Sequence, residues 1–196
     1  MLFSVAAMEA CKKAAPPPSP VEDTAAIRQA REDSIAAENA RRDAAAAEAR
    51  RRAVQDSIDR VRAAEEAGRR DSEMLRSVVT SAIHFDFDRS DLRDDAKASL
   101  DSKIPVLIAN ANVTIRVSGH ADERGSSEYN LALGQRRAAA AKRYLVERGV
   151  AESRVETTSF GEERPVCTDS NEGCWSQNRR DEFEITAGGP MLTRPR

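Results

Sequence analysis

Apolar residues are distributed along this chain in two different ways. Beyond about residue 78 they recur at strand and helix spacings, and before it they are sparse and set among alanines and charges. Ile83-His84-Phe85-Asp86-Phe87-Asp88 alternates apolar and polar residues, which predicts a half-buried strand. Asp91 then opens a helix in which Ala96, Leu100, Ile104, Leu107 and Ile108 return at helical spacing. Pro105 lies inside it and lacks the N–H that would bond the carbonyl of Asp101, so a kink or a broken last turn is expected there. Val113, Ile115 and Val117 then share one face of a second strand and Thr114, Arg116 and Ser118 the other. Gly125, Ser126 and Ser127 supply a turn and a cap for a second helix from about Ser127 to Arg148, which Gly149 stops. Strands at Val155 to Phe160 and Glu182 to Ile185 complete the order β-α-β-α-β-β. The expected fold class is α/β, an α+β sandwich with both helices on one face of a small mixed sheet. They would cover the Phe85/Phe87, Val113/Ile115/Val117 and Phe183/Ile185 rows.

The 196 residues allow one domain of about 100 to 150 residues and an extension. Up to Met74 the sole aromatic is Phe3, whereas the seven others, Phe85 to Phe183, lie beyond it, so a sizeable core belongs to residues 78–188. Residues 21–77 are a different material. Between Glu22 and Glu73 there are 11 Arg and 13 acidic residues, no Pro, and no Gly before Gly68. High helix propensity and opposite charges four apart, such as Glu48 with Arg52 and Asp56 with Arg60, predict a long solvated helical spacer, some 75 Å if helical throughout. Ile27, Ile35, Val54, Ile58 and Val61 are too sparse for a continuous heptad seam. Disorder and alanine-mediated self-association are the alternatives. Residues 1–20 run from a short apolar stretch through Cys11 and Lys12-Lys13 into a proline-rich tether. They resemble the end of a bacterial lipoprotein signal, with Cys11 as the lipid acceptor, and the alternative is a frayed terminus with an incidental cysteine. The basic n-region and full apolar h-region of such a signal are missing, which a start codon placed too far downstream would explain. Residues 189–196 read as a flexible tail.

Candidate chemistry concentrates around the second strand and second helix. Gly119-His120-Ala121-Asp122 places an acid just past the strand, and Arg137 lies between Leu133 and Ala141 at four-residue steps in the packed stripe of Leu133, Ala140, Ala141, Tyr144 and Leu145. A guanidinium beside a buried stripe needs a carboxylate partner or a pocket that receives one, and Asp122 is a suitable neighbour. Alternatively Arg137 snorkels from the helix edge and Asp122 caps a local turn. His120 reads as structural, because His84 is the only other histidine. In Asn178-Arg179-Arg180 one arginine is free to line a groove while the other pairs with Asp86, Asp88 or a surface carboxylate. Cys167 and Cys174 lie seven apart within a loop bearing Gly, Pro, Ser and Asn, close enough to close a small ring. An exported location makes a disulfide the expectation, with two reduced thiols as the alternative; the spacing suits a metal poorly, and no metal or cofactor is expected. A formal net charge of −2 with interspersed signs argues against nucleic acid as a partner. No activated Ser or Cys arrangement appears, and two histidines cannot furnish a His-rich zinc site, so no catalytic residue is expected.

Several ordered motifs over residues 83 to 187 are similar to the OmpA-like peptidoglycan-binding domain. They are Phe85-Asp86-Phe87-Asp88, Gly119-His120-Ala121-Asp122-Glu123-Arg124-Gly125, Tyr129-Asn130 to Arg137-Ala138, Gly161-Glu162-Glu163-Arg164-Pro165 and Asn178-Arg179-Arg180. With its anchor and spacer, the whole chain resembles the peptidoglycan-associated lipoproteins of that family. Departures are Ala121 for the usual Thr, Gly134 where Ser is common, and Asp181-Glu182-Phe183 in place of a small apolar start to the last strand. The resemblance implies non-covalent recognition of the diaminopimelate of the peptidoglycan stem peptide. Asp122 would receive the ammonium end and Arg137 the carboxylate end, in a groove supported by Phe85, Asp86, Glu123, Gly125, Asn130 and Arg179. It further implies a lipid anchor in the outer membrane, on its periplasmic face, and a TolB-like periplasmic partner.

Overall fold

The computed structural model describes residues 24–188 and 191–195. Cys11 and the proline-rich tether lie outside the described residues. The chain divides into two compact units, one up to Ile58 and one from Asp59 onward. A single 57-residue helix, α1 (Thr24–Thr80), contains that boundary. Every residue from Thr24 to Ala67 is exposed, so backbone propensity rather than packing accounts for this stretch of helix. Ion pairs four residues apart, Arg42 with Glu38, Arg52 with Glu48 and Arg70 with Glu66, add a few tenths of a kcal/mol each.

The second unit is a four-stranded mixed sheet with helices on one face. Its remaining elements are β1 (Ile83–His84), α2 (Asp94–Ala109), β2 (Thr114–His120), α3 (Ser127–Glu147), β3 (Val155–Gly161), α4 (Glu172–Asn178) and β4 (Arg180–Ala187), with a 3-10 turn at Glu152–Arg154. In the sheet order β1-β4-β2-β3, β2 runs parallel to β3, while β4 is antiparallel to β2 and β1. The expected order therefore holds with one addition, α4, inside the stretch read as a cysteine-bearing loop. The core gathers Val79, Ile83, Phe85, Leu100, Leu107, Val113, Ile115, Val117, Leu145 and Phe183.

Three expectations are corrected. The first strand ends at His84, because the chain turns at Asp86 to Arg89, so Phe85 is buried but Phe87 is 53% exposed. The first helix starts at Asp94, not Asp91, and it runs past Pro105 to Ala109, with Ile108 exposed. The stretch read as a flexible tail is docked over 191–195. Leu192 is buried and its N–H donates to Ser72 Oγ at 2.8 Å, and Thr193 exchanges backbone hydrogen bonds with the side-chain amide of Asn110.

The last turn of α1 is built into this unit. Val79 is fully buried, and Leu75 and Val78 pack against the core. Lys103 of α2 has no exposed surface and donates to the carbonyls of Val78 and Ser81, both at 2.8 Å, while its ammonium lies 4.7 Å from the centre of the Phe183 ring. A cation at a helix C-terminus meets orphan carbonyls and the negative end of the helix dipole. Burial lowers the Lys103 pKa to about 8. Arg154 does the same for α2, donating to the carbonyls of Leu107, Asn110 and Val113.

Candidate functional site

The site is built where α3 crosses the end of β2. Two glycines set the approach: a Cβ on Gly119 would lie 1.9 Å from the carbonyl oxygen of Gly134, and one on Gly134 would lie 2.7 Å from that of Gly119. Ser126 caps α3, its hydroxyl accepting from Tyr129 N–H. Arg137 follows one turn after Gly134 and is brought down onto the backbone. It has no exposed surface, and its guanidinium donates to the carbonyls of Arg89 (2.8 Å), His120 (2.7 Å) and Asp86 (3.0 Å), with the Phe85 ring centre 5.1 Å away. The carboxylate partner expected from sequence is thus replaced by three carbonyls. Those three bonds leave two of the five guanidinium N–H groups for other acceptors. Burial lowers its pKa to about 10, with the charge of Asp181 opposing this, so the group stays cationic at neutral pH.

Asp122 is 4% exposed and bonds to arginines other than Arg137. Its Oδ1 accepts from the N–H and Nε of Arg124, both at 3.1 Å, and its Oδ2 accepts from Arg124 Nη2 at 2.7 Å and Arg179 Nη1 at 3.1 Å. Burial pushes this carboxyl up, but the hydrogen bonds from Arg124 and Arg179 outweigh it and hold it below the usual carboxylate range. Arg179 also donates to the carbonyl of Phe85 and pairs with Glu172, while Arg180 pairs with Glu182; neither reaches Asp86 or Asp88. Asp86 instead lies 3.6 Å from Arg93.

Asp122 and Arg137 nevertheless border one pocket of ≈ 210 Å³, together with Gly125 and Asn130. Of the other groove residues expected from sequence, Phe85, Asp86, Glu123 and Arg179 do not line it; Phe85 and Arg179 are buried, while Asp86 and Glu123 are exposed. Phe87, Asp88, Ala121, Arg124, Tyr129 and Leu133 complete the lining and were missed as site residues. Asp88 takes a left-handed backbone conformation (φ 58°) and accepts from the Tyr129 hydroxyl. Gly125 turns the loop with φ 117°, where a side chain would be strained. Asn130 donates to the Asp122 carbonyl at 3.1 Å and to Glu162, tying loop to helix.

Cys167 and Cys174 form a disulfide, Cα atoms 5.2 Å apart. It holds α4 beside the pocket, where Trp175 Nε1 donates to Glu123 at 3.0 Å and the Trp175 ring lies 4.2 Å from the Arg124 guanidinium. Cys174 and Asn171, which caps α4, share one turn. His120 is buried under Phe160, with Nε2 3.7 Å from a Glu182 oxygen. That distance is too long for a hydrogen bond, and burial lowers its pKa to about 4, so the ring is neutral and this is no ion pair at neutral pH. Among the described residues, no group of His, Cys, Asp or Glu is placed to hold a metal ion, and no helix is long and apolar enough to cross a membrane.

Known proteins resemble this chain in sequence and fold. The OmpA family model matches residues 84–179. The peptidoglycan-associated lipoprotein of Rhizobium meliloti (strain 1021) is 52% identical over 102 residues, covering 52% of this chain and 58% of that protein. That of Pseudomonas aeruginosa PAO1 is 42% identical over 121 residues, covering 62% of this chain and 70% of that protein. The chain thus spans under two thirds of the first relative but more than two thirds of the second. The crystal structure of the peptidoglycan-associated lipoprotein from Burkholderia pseudomallei superposes with a TM-score of 0.51 at 41% identity, covering 52% of this chain and 86% of that chain. On fold, motif order and this extent of identity, the chain belongs to the OmpA family.

Proposed function

We propose that the domain binds peptidoglycan without chemistry, gripping the diaminopimelate of the stem peptide between Asp122 and Arg137. The observation that carries this reading is a single pocket bordered by one buried acid and one buried base. A zwitterion needs both: a carboxylate to accept from its ammonium, and a guanidinium fork to donate to its carboxylate. Lysine in place of diaminopimelate keeps the terminal ammonium but lacks the second carboxylate, and leaves the Arg137 charge unmatched. The names of the relatives support the reading, as they are peptidoglycan-associated lipoproteins. In the same proposal the chain is anchored by lipid on Cys11 to the periplasmic face of the outer membrane, the α1 segment spaces the domain from the anchor, and a TolB-like periplasmic protein is the partner that the resemblance implies. Stable attachment needs more than one acyl chain, which mass spectrometry of Cys11 from host membranes would detect.

Sedimentation of the protein with purified diaminopimelate-type cell wall tests the site. Asp122→Ala should weaken binding by about 30-fold or more, the effect of an uncompensated charge in a partly dry pocket. Arg137→Lys should be similarly damaging, because a point charge does not reproduce the fork. Wild-type affinity in Asp122→Ala would refute the assignment.

A further inference from the structure

Both charged ends of the pocket are closed in this structure. Arg137 has no exposed surface, Asp122 is 4% exposed, and all four hydrogen-bond positions of the Asp122 carboxylate are taken, three of them by Arg124. An ammonium arriving at Asp122 therefore meets no free acceptor. Of the two arginines on Asp122, Arg179 is buried and bonded to the Phe85 carbonyl, whereas the Arg124 side chain is 31% exposed. Arg124 also has somewhere to go. Its guanidinium is held between the rings of Phe87 (3.8 Å) and Trp175 (4.2 Å), and its Nη2 lies 3.6 Å from a Glu172 oxygen on α4.

We propose that Arg124 occupies, in the free protein, the subsite that receives the ligand's ammonium, so that binding exchanges one cation for another on Asp122. The displaced guanidinium moves to Glu172 and the edge of Trp175, and α4, which carries both residues and is pinned by the disulfide at Cys174, sets how readily it leaves. Arg124 is then a competitor whose strength determines affinity, and a ligand without an ammonium has nothing to exchange. This rests on the diaminopimelate reading given above.

The chain has one tryptophan, Trp175, so its fluorescence reports the exchange directly. The experiment titrates free meso-diaminopimelic acid into the wild-type protein, Arg124→Gln and Asp122→Ala, following heat and Trp175 emission together. The expected result is an emission change in the wild type with the same midpoint as the heat. Arg124→Gln should bind about fivefold tighter, the equivalent of releasing one partly exposed ion pair, with no emission change. Wild-type binding without an emission change overturns the exchange, as does equal or weaker binding by Arg124→Gln. If Arg124→Gln fails to fold by circular dichroism, the wild-type emission decides alone. Absence of wild-type heat, or undiminished binding by Asp122→Ala, overturns the diaminopimelate reading and the exchange with it.

Discussion

Among the described residues, two buried side chains, His120 and Asp181, carry polar atoms without a hydrogen-bond partner, and their pKa values shift in opposite directions. His120 has a folded pKa of about 4 against an ordinary 6.5, so between those values the unfolded chain takes up the proton first. Its contribution is whole above pH 6.5 and is lost as pH falls toward 4, up to about 3 kcal/mol. His120→Asn should flatten that acid limb in urea titrations at pH 7 and pH 5. Asp181 has no exposed surface, and burial raises its pKa well above the ordinary value, with Arg137 pulling it back. Here the unfolded state ionises first as pH rises, so the penalty grows above pH 3.8. Asp181→Asn should therefore stabilise the domain at pH 7 by about 1 to 3 kcal/mol, with the gain vanishing toward pH 4. A wild-type excess of stability at pH 7 would contradict it. Arg137→Ala removes donors from three carbonyls and should cost about 3 kcal/mol or more of stability, so its binding loss has to be read beside its melting curve.

At the scale of elements, the seat of α3 on β2 depends on Gly119 and Gly134 having no side chain. Gly134→Ala would put its Cβ 2.3 Å from Ser159 Oγ and 2.7 Å from a backbone oxygen, and backbone has to move. Helix propensity favours that substitution by about 1 kcal/mol, so a net loss of about 2 kcal/mol or more by denaturant unfolding isolates the packing effect. A neutral or stabilising outcome would show that the helix lifts freely. The disulfide belongs to this scale too. Its seven-residue separation closes a short ring, and reduction should cost about 2 to 3 kcal/mol, measured as the shift between oxidised and reduced protein. Of these features, the pair of glycines is visible in the sequence, but their opposition is not, because they come from different elements 15 positions apart. Trp175 was likewise legible only as an aromatic in a loop, since α4 is too short for a periodic pattern.

The whole molecule has its cooperative part from inside α1 to the last described residues. Ser72, Leu75, Val78 and Val79 on one side and Leu192 on the other belong to the same packed body. A fragment of residues 59–196 should unfold as one transition. A fragment of 78–188, the boundaries suggested by composition, lacks Leu75 and Leu192 and should be less stable by about 2 to 5 kcal/mol in thermal or urea unfolding. Equal stability of the two would show that the terminal contacts contribute nothing. Residues 24–58 should add helix signal without sharpening either transition, because all of them are exposed.

The sequence by itself determined the element types, the division between a charged helix and an apolar domain, and the acid and base on either side of one turn. These are local properties: propensity acts residue by residue, periodicity within one element, and Ser126 caps the helix it begins. Only the tertiary structure decided who partners whom. Arg137 meets three carbonyls from two separate segments, Asp122 meets Arg124 and Arg179 instead of Arg137, and Leu192 meets Ser72 across 120 positions. A buried charge takes the geometry that desolvates it least, and several acceptors compete for each guanidinium. Which acceptor wins depends on distances that exist only once the sheet has placed its loops side by side.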